Sequence, residues 1–134
     1  MSTHAFEEHV GEVRVRVEAA SLAGVFEEAA AVLAELAAGT DVAPACANER
    51  VALRSTGREA LLFDWLNEIL YRSESRKRVY PKARVERVDD HELRATLEGA
   101  EPRAIHTSVK AATMHDLFVG PSDGGWTARF VLDV

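Results

Sequence analysis

The spacing of apolar residues changes repeatedly along the chain, and this change constrains the fold more than any other feature. Valines alternate with arginines over residues 12–18, and a period of two predicts a half-buried strand. Apolar residues then recur at every third or fourth position between Ser21 and Gly39, which predicts a helix with an N-cap and a C-terminal stop. The same order of a strand followed by a helix is predicted again, with the strand over residues 50–55 and a second helix after it.

The period of two returns in the second half of the chain. It predicts strands over residues 79–88 and 92–98, joined by an Asp-Asp turn, and a last pair over residues 108–119 and 126–134 around Pro-Ser-Asp-Gly-Gly. Two helices and about six strands predict an α+β, two-layer sandwich with both helices on one face of a mostly antiparallel sheet. We expect residues 1–134 to form a single domain.

Length and composition exclude several classes of protein. The 134 residues carry 16 basic and 22 acidic side chains, for a net charge of −6, and Cys46 is the single cysteine, so the chain has no internal disulfide. Apolar runs are too short for a membrane helix, and the acidic start differs from a signal peptide. These features predict a cytoplasmic protein that does not contact a membrane.

One segment has the opposite charge to the rest of the chain. Residues 72–87 hold seven basic and two acidic side chains. The stretch could contact RNA phosphates or an acidic protein surface; alternatively it is a solvated helix end and strand face. The candidate contact residues are Arg72, Arg76, Lys77, Arg78, Lys82 and Arg84.

Motifs for nucleotide binding and covalent catalysis are absent from the sequence. The chain has no G-x-x-x-x-G-K-[ST], no G-x-G-x-x-G and no G-x-S-x-G. The five histidines lack the spacing of a zinc site. We therefore expect a protein that is not an enzyme and has no small-molecule substrate of its own.

The start of the first predicted strand and the end of the last one are both acidic. If these strands are close in space, Glu12, Asp133 and the Val134 carboxylate come together. Oxygen ligands without thiolates favour a hard divalent cation, Ca²⁺, Mg²⁺ or Mn²⁺. Such a cluster needs a cation or a nearby Lys110 to offset its repulsion; otherwise these residues are solvated acids at strand ends.

Four segments resemble the archease family, in the family's order and over nearly the whole chain. They are FEEHVGE at residues 6–12, LFDWLNEILY at 62–71, VKAATMH at 109–115 and GWTARFVLDV at 125–134. The resemblance implies a two-layer α+β protein built from strand–helix–strand–strand modules. It also implies a protein cofactor of an RtcB-type RNA ligase, one that promotes guanylylation of the ligase and its multiple turnover in tRNA splicing and RNA repair.

The resemblance further implies a metal-binding acidic tip. Glu12 stands where the family usually has Asp, so the carboxylate is one methylene longer. By their segments, the implied residues are Glu12, Asp133 and Val134 at the metal, with His9, Lys110 and His115 in support.

Three functions remain open on the sequence. The first is the non-enzymatic ligase cofactor, which would contact RNA directly or only through the ligase. The second is a metal-independent binding or chaperone-like module that uses the basic segment 72–87. The third is a metal hydrolase acting on phosphoesters, for which the sequence offers few further ligands.

Overall fold

The computed structural model contains eight strands and two helices. It describes residues 2–134, and the side chain of His9 lies outside the described part. The strands are β1 (Thr3–His9), β2 (Glu12–Ala19), β3 (Ala47–Arg54), β4 (Val79–Val88), β5 (Glu92–Ala100), β6 (Ala111–Ala112), β7 (Phe118–Ser122) and β8 (Gly125–Asp133). The helices are α1 (Leu22–Ala38) and α2 (Arg58–Arg76).

The strands form two antiparallel sheets. The larger has the order β1-β2-β8-β6, with β7 also paired to β8, and the smaller has the order β3-β5-β4. The predicted α+β class is confirmed, with its two helices and antiparallel strands. The expected single sheet of about six strands is wrong, because the described residues form eight strands in two sheets.

One hydrophobic core joins the two sheets through the helices. β2 and β8 contribute alternate side chains, among them Val15 and Phe130, and β5 contributes Leu97 from the smaller sheet. The helices contact strands of both sheets. Buried Trp65 of α2 donates from Nε1 to the carbonyl of Phe26 in α1 at 2.9 Å, so the helix pair is fixed by a hydrogen bond within the apolar core.

Local signals at the element ends act as the sequence predicts. The Ser21 hydroxyl accepts from the Gly24 N–H at 3.0 Å, and α1 ends at Gly39 with φ of 68°. Asp123 and Gly124 both have positive φ, 39° and 78°, which gives β7 and β8 the tight turn that suits the twist of a hairpin. The Asp89 carboxylate accepts from the N–H groups of His91 and Glu92 between β4 and β5.

Two strand predictions need correction. β1 is missing from the predicted order of elements, because this edge strand pairs through its backbone with β2 and exposes most of its side chains, so it lacks an apolar period. The continuous strand expected over residues 108–119 is wrong. Only β6 and the start of β7 pair with β8 there, and Asp116, with φ of 52°, lies in the bend between them.

Neither helix in the described part of the chain combines the length and apolar composition needed to cross a membrane.

Candidate functional site

Glu12 and Asp133 are directly opposite each other at one end of the larger sheet. The first residue of β2 pairs with the last residue of β8 in antiparallel register. Opposed residues point to the same face with Cβ atoms about 4.5–5.5 Å apart. Since Val13, the next residue after Glu12, is in the core, both carboxylates project from the outer face, away from the helices. We call this region the acidic tip.

Backbone hydrogen bonds hold the acidic tip in place. The N–H of Val134 donates to the carbonyl of Gly11 at 3.1 Å, and the N–H of Lys110 donates to the carbonyl of Asp133 at 2.8 Å. Gly11 has φ of 80°, in the left-handed region that glycine adopts easily. The β1–β2 turn, the end of β8 and the start of β6 therefore converge on one point.

The predicted supporting residues His9 and Lys110 differ in how they contact the acidic tip. The backbone of His9 pairs opposite Glu12, while its side chain lies outside the described part. Lys110 is one of the residues that line a cavity of about 540 Å³, together with Leu33 of α1 and Leu70 of α2. Among the described residues, no ion pair joins Lys110 to Glu12 or Asp133. The tip thus contacts the backbone of Lys110 rather than its ammonium group.

Sequence analysis missed Arg14 as part of this region. Arg14 Nε donates to Glu12 Oε1, and Arg14 Nη1 donates to Asp116 Oδ2, each at 3.3 Å. Asp116 Oδ2 is also 3.3 Å from Nε2 of His115. The strand period could have placed Arg14 on the face of Glu12, two residues away, but Asp116 comes from the distant bend before β7.

The oxygen atoms of the acidic tip fit a hard divalent cation. The donors are the carboxylates of Glu12 and Asp133, with no thiolate among them, and this chemistry favours Ca²⁺, Mg²⁺ or Mn²⁺. Among the described side chains, which do not include that of His9, no three His, Cys, Asp or Glu residues form a group that could hold a metal ion. Glu12 instead faces Arg14, so a cation would have to compete with that contact.

The predicted basic segment divides into two groups. In the first, three guanidinium groups surround the Glu49 carboxylate of β3, with Nη1 of Arg72, Arg76 and Arg78 at 3.3, 2.9 and 3.1 Å. The Glu49 side chain is only 11% exposed. These three arginines are therefore already paired with one mostly buried carboxylate, although the Arg76 side chain itself is 43% exposed.

The hydroxyl of Tyr80 also donates to Glu49, at 2.6 Å. Burial, together with this bond to the carboxylate, raises the pKa of Tyr80 to about 12. Burial acts to raise the pKa of Glu49, but the bonds from Tyr80 and Arg78 and the charges of Arg76 and Arg72 outweigh it, and the pKa is lowered. Glu49 therefore stays ionised at neutral pH and can pair with the three arginines.

The second group of basic residues is exposed. Lys77 follows the end of α2, and Lys82 and Arg84 are 75% and 67% exposed on β4. Lys82 is 4.0 Å from Glu98, and Arg84 is 3.4 Å from Glu86. Exposed pairs of this kind contribute little stability, so Lys82 and Arg84 can exchange their partners.

Comparison with known proteins assigns the chain to a family. The Archease protein family (MTH1598/TM1083) matches residues 4–134. The chain belongs to the archease family. Its match includes Glu12 and Asp133, and so covers both strands of the acidic tip.

Relatives and solved structures of archeases agree over most of the chain. Protein archease of Methanosarcina mazei is 30% identical over 95% of this chain and 92% of its own length. That of Methanothermobacter thermautotrophicus is 34% identical over 82% of this chain and 83% of its own. The solution structure of Methanobacterium thermoautotrophicum protein 1598 has a TM-score of 0.79, with 27% identity and 98% coverage of both chains.

A crystal structure from Thermotoga maritima shares the fold. That protein is described as an archease and possible chaperone, and it has a TM-score of 0.70 with 22% identity, covering 96% of this chain and 94% of its own. The likeness concerns the fold alone. The archease resemblance of the four sequence segments is confirmed by the family match.

Proposed function

We propose that this archease-family chain is a non-enzymatic accessory protein of an RtcB-type RNA ligase. In this proposal its acidic tip holds a divalent cation and promotes guanylylation of the ligase, so that the ligase turns over repeatedly in tRNA splicing and RNA repair. The observation that carries the proposal is the opposed pair Glu12 and Asp133. Family membership gives this pair its functional context.

The residues of the tip have distinct roles in this proposal. Glu12 and Asp133 supply carboxylate oxygens, and the Val134 carboxylate supplies more beside them, with Val134 anchored by its N–H on Gly11. Lys110 fixes the Asp133 backbone, while His9 and His115 are assigned supporting roles on the archease resemblance. A bound cation would neutralise phosphate charge during nucleotidyl transfer on the ligase.

Guanylylation of the ligase tests this function. The partner RtcB-type ligase is incubated with labelled GTP and limiting Mn²⁺, with and without this protein. We expect the wild type to increase the rate and Asp133→Ala to lose the increase while keeping its circular dichroism spectrum. Asp41→Ala is the matched control, because Asp41 is 88% exposed and pairs with Arg103 outside the tip.

Two results would count against the proposal in different ways. Full stimulation by Asp133→Ala would reject the acidic tip as the working site. No stimulation by folded wild-type protein, with an active ligase, would reject the accessory role itself.

A second function rests on the exposed cations Lys77, Lys82 and Arg84. Here the chain is a metal-independent protein-binding or chaperone-like module, and these side chains contact an acidic partner surface. Replacing all three by Glu tests this function, because the change spares the arginines paired with Glu49. Loss of ligase binding with unchanged cation binding would favour this second function.

A further inference from the structure

Arg14 is the basic side chain at the centre of the acidic tip. It bonds to Glu12 and Asp116, and Glu7 is directly opposite it on β1. On β8 its partner is Val131, two residues before Asp133. Residues diagonal across paired strands are about 7–8 Å apart, so Glu7 and Asp133 lie on the same face of the sheet as Arg14, whose guanidinium contacts Glu12 and Asp116.

The contacts of Arg14 can be broken without disturbing the core. Its side chain is 45% exposed, and those of Glu12 and Asp116 are 32% and 57% exposed. Arg14 and Asp116 also line an open groove of about 600 Å³ on the outer face of the larger sheet. The guanidinium therefore has space to move away from Glu12, and a hydrated ion can reach the carboxylates.

We propose that Arg14 is the internal counter-cation of the acidic tip and lowers the affinity of Glu12 and Asp133 for a divalent cation. This inference rests on the proposed cation site. An oxygen of Glu12 that accepts from Arg14 is less available to a metal ion, and the guanidinium charge repels the ion. Cation binding thus requires Arg14 to release Glu12, and Asp116 remains as its partner beside the groove.

Arg14 is accordingly a positioning residue with two alternative states. Without a cation it links Glu12 to Asp116. With a cation it bonds to Asp116 alone, so its charge moves toward the groove that Phe118 and Arg129 also line. Cation binding at the acidic tip thereby moves the positive charge of Arg14 along the outer face of the sheet, toward this groove.

Calorimetric titration of the full-length protein with Mn²⁺, and separately with Ca²⁺, tests the inference at low ionic strength. We expect Arg14→Gln to bind on the order of tenfold more tightly than the wild type, because one positive charge beside a doubly charged ion is removed. The double variant Arg14→Gln with Asp133→Ala should lose this gain.

Arg16→Gln is the matched control. It removes the same charge from the same strand and face, but Arg16 bonds to Glu18 at 2.8 Å, on the side away from the tip. We expect its affinity to stay within about twofold of the wild type, since exposed charges at greater distance are screened. Circular dichroism of each variant verifies the fold.

The outcomes separate the two proposals. Wild-type binding that Asp133→Ala abolishes but Arg14→Gln does not tighten overturns the role of Arg14 and leaves the cation site standing. Binding by Arg14→Gln alone supports both. Absence of binding in every variant, or binding that Asp133→Ala leaves unchanged, overturns the cation site and the role of Arg14 together.

Discussion

The side-chain amide of Asn67 pairs with the backbone of Ala112 at the edge of the larger sheet. Its oxygen accepts from the Ala112 N–H at 2.9 Å, and its nitrogen is 3.3 Å from the Ala112 carbonyl. A residue of α2 thereby provides hydrogen-bond partners for the backbone at the outer edge of β6. This edge is next to Lys110, whose N–H donates to the carbonyl of Asp133. The helix layer and the acidic tip are connected through this pair.

Replacing Asn67 by Leu should destabilise the protein by about 1–3 kcal/mol, because the buried polar groups of Ala112 lose their partner. Urea unfolding measures the change. Asn67→Asp is the informative control, since it keeps the acceptor for the Ala112 N–H and should cost less. Equal losses for both variants would mean that the accepted bond contributes little.

The contacts of His4 with two carboxylates predict that the free energy of unfolding depends on pH. His4 Nδ1 is 2.5 Å from Glu28 Oε2, and Nε2 is 2.8 Å from Glu35 Oε2. Burial acts to lower the pKa of His4, but the two carboxylates outweigh it and the pKa is raised. The stabilisation is therefore fully present below the unfolded-state pKa of about 6.5 and is lost as the pH rises through the folded-state pKa.

Urea unfolding of the wild type and His4→Gln at a series of pH values from 6 to 9 checks this. We expect an advantage of about 1–3 kcal/mol for the wild type at the acidic end, which shrinks toward the alkaline end. A constant difference between wild type and His4→Gln would contradict the assigned ionisation.

The Glu49 cluster predicts a spectroscopic change in Tyr80. In Glu49→Gln the phenol loses its anionic acceptor, so its pKa should fall from about 12 toward 10 while burial keeps it above that value. Ultraviolet titration of phenolate measures the change. Tyr71 is 65% exposed and provides the internal reference. An unchanged Tyr80 titration would show that burial alone sets its pKa.

The same variant should be less stable by about 1–3 kcal/mol at neutral pH, since Arg72, Arg76 and Arg78 lose a shared and mostly buried partner. In the wild type this contribution is present above the unfolded-state pKa of Glu49. It is lost as the pH falls through the lowered folded-state value. Acid titration of stability should therefore differ between the two proteins.

Lys77 offers a stabilising change. It ends α2 with φ of 56° and ψ of 48°, a left-handed conformation that costs a non-glycine residue about 1 kcal/mol. Lys77→Gly should raise the free energy of unfolding by up to about 1 kcal/mol, measured by thermal or urea unfolding. Lys77→Ala, which keeps the strain, should not; a gain in both would point to removal of the charge.

In the two helices, the sequence pattern predicts the buried apolar face but not the contacts of the polar residues. The apolar faces of α1 and α2 follow from their spacing, and Trp65 lies in the core as its helix face predicts. The same spacing assigns no role to Glu27 and Glu59, which are not among the apolar positions. In the structure their carboxylates accept from the N–H groups of Val85 and Val119, because unpaired strand edges next to the helices need acceptors.

The acidic tip was predictable only in part. Glu12 and Asp133 are recognisable as strand ends, and the archease resemblance implies their common role. Their register, and the presence of Arg14 between Glu12 and Asp116, follow from the pairing of β2 with β8 and from the bend before β7. Likewise, the sequence alone suggests that the basic segment 72–87 forms one surface. In the structure, three of its arginines pair with Glu49 of β3.

The sequence by itself determined the helices, the caps of α1, the turns and most strands, because these depend on periodicity and on residues a few positions apart. Tertiary structure alone decided that the strands form two sheets and that Arg14 bonds to Asp116, 102 residues away. The physical reason is that such contacts depend on which strand edges and helix faces bury one another. Many pairings satisfy the same local pattern, and only the packed core selects one of them.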